Sequence, residues 1–126
     1  MPVMPSATAT LHSWNSIPKQ EVTAGLLRQF VTASRVTVAK FEMARGCVVP
    51  SHSHENEQVS YVISGALQFN VGGPGGDVVV VRAGELLQIP PHVPHGVEVL
   101  DDAHVIDIFT PIRQDWIDGT DAYFKR

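Results

Sequence analysis

Hydrophobic and polar residues alternate along much of the chain with the two-residue period of a β-strand. Residues 35–43 read RVTVAKFEM and residues 65–71 read GALQFNV. Successive side chains on a strand point to opposite faces, so each segment presents one face to a core. The residues that share a face are Thr37, Ala39 and Phe41 in the first segment and Leu67, Phe69 and Val71 in the second.

Turn-forming residues separate these segments at intervals of roughly 8 to 12 residues, which is typical of a β-sandwich or barrel. Residues 72–77, GGPGGD, are the strongest turn signal because they combine four glycines with a proline. We predict seven or more short strands and no parallel α/β sheet. Helix is expected only as one turn within residues 23–30 and as a short helix or wrapped tail within residues 113–126. The predicted fold class is therefore all-β.

Chain length and net charge restrict the possible domain organisation and partners of the protein. The 126 residues fit one domain, predicted as residues 19–126 behind an N-terminal arm, residues 1–18, with little structure of its own. The net charge of −4 argues against a nucleic-acid partner, and the single cysteine, Cys47, excludes an intramolecular disulfide. The N-terminus does not resemble a signal peptide, and no apolar run approaches the roughly 18 residues that span a bilayer. We therefore expect a cytoplasmic protein without a membrane partner.

Two histidines stand one residue apart in SHSHENEQVSYV, residues 51–62. On a regular strand His52, His54 and Gln58 share a face, and Glu57 takes the other. Gln58 is therefore better placed than Glu57 to complete a metal site with the two imidazoles. A loop or bulge in this segment would exchange the faces, and a polar loop that happens to hold two histidines is the alternative interpretation.

His95 is the best candidate for a third imidazole, because it follows a proline-rich turn and begins another alternating segment. A rigid turn fixes the angle at which a ligand approaches. His92, three residues earlier, is expected to form a wall of the site or to support one of its ligands from behind. His12 and His104 are expected at the surface or in packing, and Cys47 as a small buried residue.

Asp107 and Phe109 share a face of the segment HVIDIFT, residues 104–110. Burial among apolar residues would raise the pKa of the aspartate, and a nearby cation would oppose that change. Such a carboxyl could be a general acid or base, or a rim residue paired with Arg113 or a backbone amide. Arg113 in turn could grip a substrate carboxylate or form an ion pair with Asp115 or Asp107.

Two segments resemble the sequence motifs of the cupin family. GCVVPSHSHENEQVSYVISG, residues 46–65, resembles the first motif, G(x)5HxH(x)3,4E(x)6G, and GELLQIPPHVPH, residues 84–95, resembles the second, G(x)5PxG(x)2H(x)3N. The matching residues are Gly46, His52, His54 and Gly65 in the first motif and Gly84, Pro90 and His95 in the second. The resemblance covers roughly residues 25–113 and implies a small antiparallel β-barrel or jelly roll with one metal inside.

Three positions depart from the motifs. Gln58 stands at the position of the acidic ligand, in agreement with the parity of the strand. His92 replaces a glycine, so the turn is not expected to use a glycine conformation there. Val99 replaces the final asparagine and removes a polar group from the far strand.

The segments HSHENEQVSYVISG, IPPHVPHG and DIFTPIRQDW resemble the KdgF-type cupins of pectin and alginate breakdown. In that group three histidines and a glutamine hold the metal. The resemblance implies that His52, His54, His95 and Gln58 take these positions here. An aspartate, a phenylalanine and an arginine act on or bind the substrate in that group. The resemblance implies the same roles for Asp107, Phe109 and Arg113. The resemblance implies one divalent ion (zinc, nickel, manganese or iron) and a small acidic sugar, the cyclic unsaturated monouronate, which is converted to its linear keto form.

Two other functions use the same residues. An iron-dependent dioxygenase would employ the same ligand set, and a non-catalytic barrel would only bind a small acid or a metal. The exposed edge of a β-sheet is often covered by pairing with a second chain, so we also predict a homodimer. Trp14 and Trp116 lie outside the motifs and are candidates for packing at that contact.

Overall fold

The computed structural model describes residues 8–121. A single 3-10 turn, Trp14–Ser16, precedes eight strands, and one short helix, α1 (Gln114–Asp118), follows them. The strands are β1 (Gln20–Thr23), β2 (Leu26–Thr32), β3 (Thr37–Met43), β4 (Val48–His52), β5 (Glu57–Val71), β6 (Asp77–Arg82), β7 (Leu86–Ile89) and β8 (His95–Thr110). The predictions of an all-β fold and of a short C-terminal helix are confirmed. Within the described residues, no helix is long and apolar enough to cross a membrane.

The long strands β5 and β8 join two layers of antiparallel sheet. The C-terminal half of β8 pairs with β3 and with the N-terminal half of β5, which gives the order β1-β2-β3-β8-β5-β7. The N-terminal half of β8 pairs with β4 and with the C-terminal half of β5, which pairs in turn with β6. The inward faces of both layers enclose one core and one cavity.

A sharp bend allows each long strand to belong to both layers of sheet. The pairing of β5 with β8 shifts register between Val62 and Leu67. Gly65 lies within this stretch with a φ of +84°, and a Cβ there would overlap the carbonyl oxygen of Asp102 and lie 2.7 Å from Cα of Ala103. Only glycine allows the two backbones to approach this closely. The predicted number of seven or more strands is confirmed by the eight that the described residues form, but β5 and β8 are long rather than short, because hydrogen bonding continues through the bend.

The predicted helical turn within residues 23–30 is also wrong. Gly25, with a φ of +81°, forms a tight turn between β1 and β2. All seven residues of β2 pair with β3, so sheet pairing outweighs the helical propensity of the leucines. The turn predicted at residues 72–77 is confirmed, since β5 ends at Val71 and β6 begins at Asp77.

His92 adopts a conformation that the sequence did not lead us to expect. Its φ is +65°, and it is the one non-glycine residue with a positive φ in the described part of the chain. The expectation that this turn avoids a glycine conformation is therefore wrong. The backbone N–H of His92 donates to the carbonyl of His54 at 2.8 Å, which ties the proline turn to the loop that carries His54. The His92 side chain is exposed and does not form a wall of the site.

Helix α1 returns Trp116 into the core between the two layers. Its side chain is 7% exposed. Its ring packs on Phe30, Phe41 and Phe109, with centroid separations of 5.3, 6.1 and 5.0 Å. The expectation that Trp116 packs at a dimer contact is therefore wrong.

Candidate metal centre

Three histidines from separate segments meet beside the cavity. His52 ends β4 and His95 begins β8, where the two residues are register partners, and His54 lies in the loop before β5. The ring centroids are 4.5 Å apart for His52 and His95, 4.9 Å for His54 and His95, and 5.7 Å for His52 and His54. One ring nitrogen from each residue lies within 4.8 Å of the other two. The structure thus brings together the three predicted imidazole ligands.

Backbone carbonyls set the tautomer of all three rings. The Nδ1 atoms lie 2.8 Å from the carbonyl oxygen of Pro50 (His52), 3.0 Å from that of Asn56 (His54) and 2.8 Å from that of Val93 (His95). Because a carbonyl only accepts, each Nδ1 donates a hydrogen and each Nε2 keeps its lone pair. Nε2 of His95 is enclosed and has no hydrogen-bond partner among residues 8–121. A shared cation would satisfy such an acceptor, and metal-bound histidines usually donate their other N–H in this way.

The Gln58 amide lies next to the imidazoles. Its Oε1 lies 3.1 Å from Nε2 of His54, and its Nε2 donates to Oγ of Ser60 at 2.9 Å. The strand is interrupted at residues 53–56, yet every second residue from Asn56 to Val62 is buried. The structure therefore places Gln58 where parity predicted. Glu57 points elsewhere and accepts a hydrogen bond from Nε2 of Gln88 at 3.1 Å.

Burial keeps the imidazoles neutral and available as ligands. Burial lowers the pKa of His52 to about 4, and the hydrogen bond to Pro50 only partly opposes this. Burial and then the positive charge of Arg113 lower the pKa of His54 to about 4. The pKa of His95 is lowered as well, mainly by burial. All three rings are thus in the form that binds metal at neutral pH.

Three neutral imidazoles and one amide oxygen fit a divalent transition-metal ion. Imidazole suits zinc, nickel and iron, and the oxygen donor adds manganese. Because none of these donors is anionic, a bound ion would keep its full positive charge. An ion that takes more than four ligands would also have room for water or a substrate.

Asp107 of β8 lines the cavity, as do His52 and Gln58. Its Oδ1 is enclosed and has no hydrogen-bond partner in the described chain. Removal from water raises the pKa of Asp107 to about 6, although a hydrogen bond from Ser60 and the charge of Arg113 oppose this. A carboxyl with such a pKa exchanges protons readily near neutral pH. Phe109, its neighbour on the same face, is 2% exposed and also lines the cavity.

Arg113 lines the same cavity and is 1% exposed. Its Nε and Nη2 donate to the two carboxylate oxygens of Asp115 at 2.9 and 2.7 Å. Burial alone would raise the pKa of Asp115, but the hydrogen bond and charge of Arg113 outweigh it and lower that pKa. The guanidinium carbon also lies 4.7 Å from the ring centroid of Phe109 and 4.4 Å from that of Trp116. The predicted ion pair with Asp115 therefore exists, and it holds the guanidinium at the cavity wall.

Three further residues lie at the site, and the sequence analysis did not assign them to it. Ser60 is fully buried between Gln58 and Asp107. Trp116 lines the cavity with an enclosed indole N–H that has no partner in the described chain. Arg28 lines the cavity too, and its Nη1 donates to Asp121 at 3.0 Å. The parity of β5 could have identified Ser60, whereas nothing local connects Arg28 with an aspartate 93 residues away.

The fold and the site together define a β-barrel protein with three imidazoles placed where they could hold a metal ion. Residues 39–109 match the family model of the cupin domain. The chain belongs to the cupin family, as its two motifs predicted.

Solved structures of other cupins share the fold. KdgF from Halomonas sp. is 28% identical to this chain, with 86% of this chain and 99% of that chain covered and a TM-score of 0.78. An RmlC-like cupin from Shewanella frigidimarina NCIMB 400 is 29% identical, with 86% and 96% covered and a TM-score of 0.78. Oxalate decarboxylase from Bacillus subtilis, 18% identical with 84% and 31% covered and a TM-score of 0.72, shares the fold alone. No curated protein sequence matches the chain.

Proposed function

We propose that the protein is a metal-dependent cupin enzyme that converts a cyclic unsaturated monouronate to its linear keto form. The observation that carries this proposal is the convergence of three imidazoles and the Gln58 amide beside a cavity that also holds the Asp107 carboxyl and the Arg113 guanidinium. The similarity to KdgF from Halomonas sp. extends over 99% of that chain and supports the same assignment. So does the resemblance of the sequence to KdgF-type cupins.

The charges of the cavity favour an anionic substrate. Arg28 and Arg113 both line it, and both guanidinium carbons lie over Trp116, at 4.3 and 4.4 Å from the ring centroid. A planar guanidinium held by a carboxylate and an aromatic ring is oriented for two parallel hydrogen bonds to a second carboxylate. The indole N–H of Trp116 offers a further donor to a hydroxyl of the substrate.

The metal ligands His52, His54, His95 and Gln58 would hold a divalent cation, which when bound supplies Lewis acidity toward the substrate carboxylate and a neighbouring oxygen. Asp107 acts on the protons. Its carboxylate accepts the hydroxyl proton of the cyclic hemiacetal, and the O–H electron pair forms the C=O bond of an aldehyde. The ring C–O bond breaks at the same carbon, and its electron pair stays on the ring oxygen as an enolate. The protonated Asp107 then returns the proton to the enolate carbon, which produces the ketone. No atom is gained or lost, so the reaction needs no oxidant or reductant.

The proposal is tested by following the ultraviolet absorbance of an unsaturated monouronate with metal-loaded protein. We expect loss of absorbance well above the spontaneous rate, and a decrease in kcat of about 10²- to 10⁴-fold in Asp107→Asn, because removal of a general acid or base has effects of this size. Asp101 is exposed on the same strand, so Asp101→Asn serves as the matched control. Wild-type protein that is no faster than buffer would contradict the proposal.

Oxygen uptake should be recorded in the same samples after loading with Fe(II). An iron-dependent dioxygenase could use the same ligands, and only that activity consumes oxygen in step with substrate. We expect substrate loss without stoichiometric oxygen uptake.

A further inference from the structure

A buried hydrogen-bond chain links the proton-transfer residue to a metal ligand. Gln58 donates from Nε2 to Oγ of Ser60 at 2.9 Å. Ser60 is 0% exposed and is the register partner of Asp107 in the β5–β8 pair, which sets its hydroxyl beside that carboxylate. A hydrogen bond from Ser60 opposes the rise in the pKa of Asp107. Oδ1 of Asp107 is enclosed and has no hydrogen-bond partner in the described chain.

The amide of Gln58 has two possible orientations, and only one of them suits a metal. In the observed orientation, Oε1 faces Nε2 of His54 at 3.1 Å. In the opposite one, the amide N–H would donate to the lone pair of His54, and Oε1 would accept from Ser60. That orientation satisfies the amide well without a cation, but it turns hydrogens toward the position that a cation would occupy.

The destination of a single hydrogen decides between the two orientations. The Ser60 hydroxyl has one hydrogen and can give it to Asp107 or to Gln58, but not to both. The ionised carboxylate is the stronger acceptor, because hydrogen bonds to charged groups are about twice as strong as neutral ones. Ser60 then presents only lone pairs to Gln58, so the amide must donate to it and turn its carbonyl toward the histidines.

We propose that Ser60 is a positioning residue that holds the carbonyl of Gln58 toward the metal centre by giving its own hydrogen to Asp107. The arrangement also gives a physical reason for an amide at position 58. A carboxylate there would leave Ser60 between two acceptors with one hydrogen to share, and it would bring a second negative charge near Asp107. The proposal rests on the metal centre described above and not on the uronate reaction.

The test is a zinc titration of the metal-free protein by calorimetry against a competing chelator. Ser60→Ala should weaken zinc binding roughly 10- to 100-fold, as loss of a residue that orients a ligand usually does. Ser64→Ala, on the exposed part of the same strand, is the matched control and should bind as the wild type does. Near-ultraviolet circular dichroism of each metal-free protein verifies the fold, and Ser60→Cys, a weak hydrogen-bonding residue of similar size, replaces Ser60→Ala if the alanine variant does not fold.

Repeating Ser60→Ala in a Gln58→Glu background distinguishes an effect on the orientation of the side chain at position 58 from a general disturbance of the site. Both ends of a carboxylate are oxygens, so its orientation is immaterial, and Ser60→Ala should then change zinc affinity by less than about threefold, under 1 kcal/mol. An equal loss in both backgrounds, or no loss in the native background, would overturn the proposal. Wild-type protein that binds no zinc would overturn it together with the metal centre, whereas absence of uronate turnover would leave it standing.

Discussion

Replacing Asp107 with asparagine should remove a specific pH dependence of stability. The folded protein raises the pKa of this carboxyl from 3.8 to about 6 by burial. Below the lower value the group is protonated in the folded and unfolded states alike. Between the two values the unfolded state ionises first and gains free energy, so stability falls as pH rises and stays lower above pH 6. Asparagine does not titrate, so the variant lacks this decline.

The size of the effect follows from the two pKa values. Each pKa unit corresponds to about 1.4 kcal/mol, so the complete change is about 3 kcal/mol. About half of it, roughly 1.5 kcal/mol, falls between pH 5 and pH 8, where the protein can be handled conveniently. The new amide adds its own hydrogen-bonding effect, but that contribution does not vary with pH. The expected result is therefore a change in the difference between the two proteins, and not an absolute value.

Urea unfolding of wild type and Asp107→Asn at several pH values measures this difference. The samples contain a chelator, because a cation near Asp107 would lower its pKa and reduce the effect. Relative to the wild type, the variant should gain about 1.5 kcal/mol in free energy of unfolding from pH 5 to pH 8. Asp101→Asn, an exposed control on the same strand, should stay within about 0.5 kcal/mol of the wild type throughout. A constant difference, or one that changes in the opposite direction, would refute the assignment of a raised pKa to Asp107.

Three further substitutions test the bend, the proline turn and the metal ligands. Gly65→Ala should destabilise the fold by about 3 kcal/mol or more in thermal or urea unfolding, because its Cβ would overlap the backbone of β8. Gly75→Ala shares a positive φ but has open space around it, so it should cost only about 1 kcal/mol, and an equal loss at both sites would argue against the close approach. The stability of His92→Gly in urea unfolding should lie within about 1 kcal/mol of that of the wild type. His92→Val should be clearly less stable, because β-branched residues tolerate a positive φ poorly. The reverse order would contradict the left-handed turn. His95→Ala should lose metal in elemental analysis while His104→Ala, at an exposed position, keeps it, and equal metal content in the two variants would exclude His95 as a ligand.

Features that depend on residues close together in the chain can be predicted from the amino-acid sequence alone. The two-residue period gave the strands and their inward faces, and clusters of glycine and proline marked the turns. Parity along one strand selected Gln58 over Glu57, and the same parity on β8 placed Asp107 and Phe109 on the cavity side. Each of these inferences needs only the geometry of an extended backbone, which alternates its side chains wherever it forms.

The contacts between distant segments could not be predicted and became known from the folded structure. It made β5 and β8 continuous through a bend, set His52 beside His95, and brought Trp116 back from helix α1 into the core. It also held His92 in a left-handed turn and turned Ser60 toward Asp107. These outcomes depend on strand pairing and side-chain packing between residues far apart in the chain. The pattern of residues within a short segment therefore does not predict them.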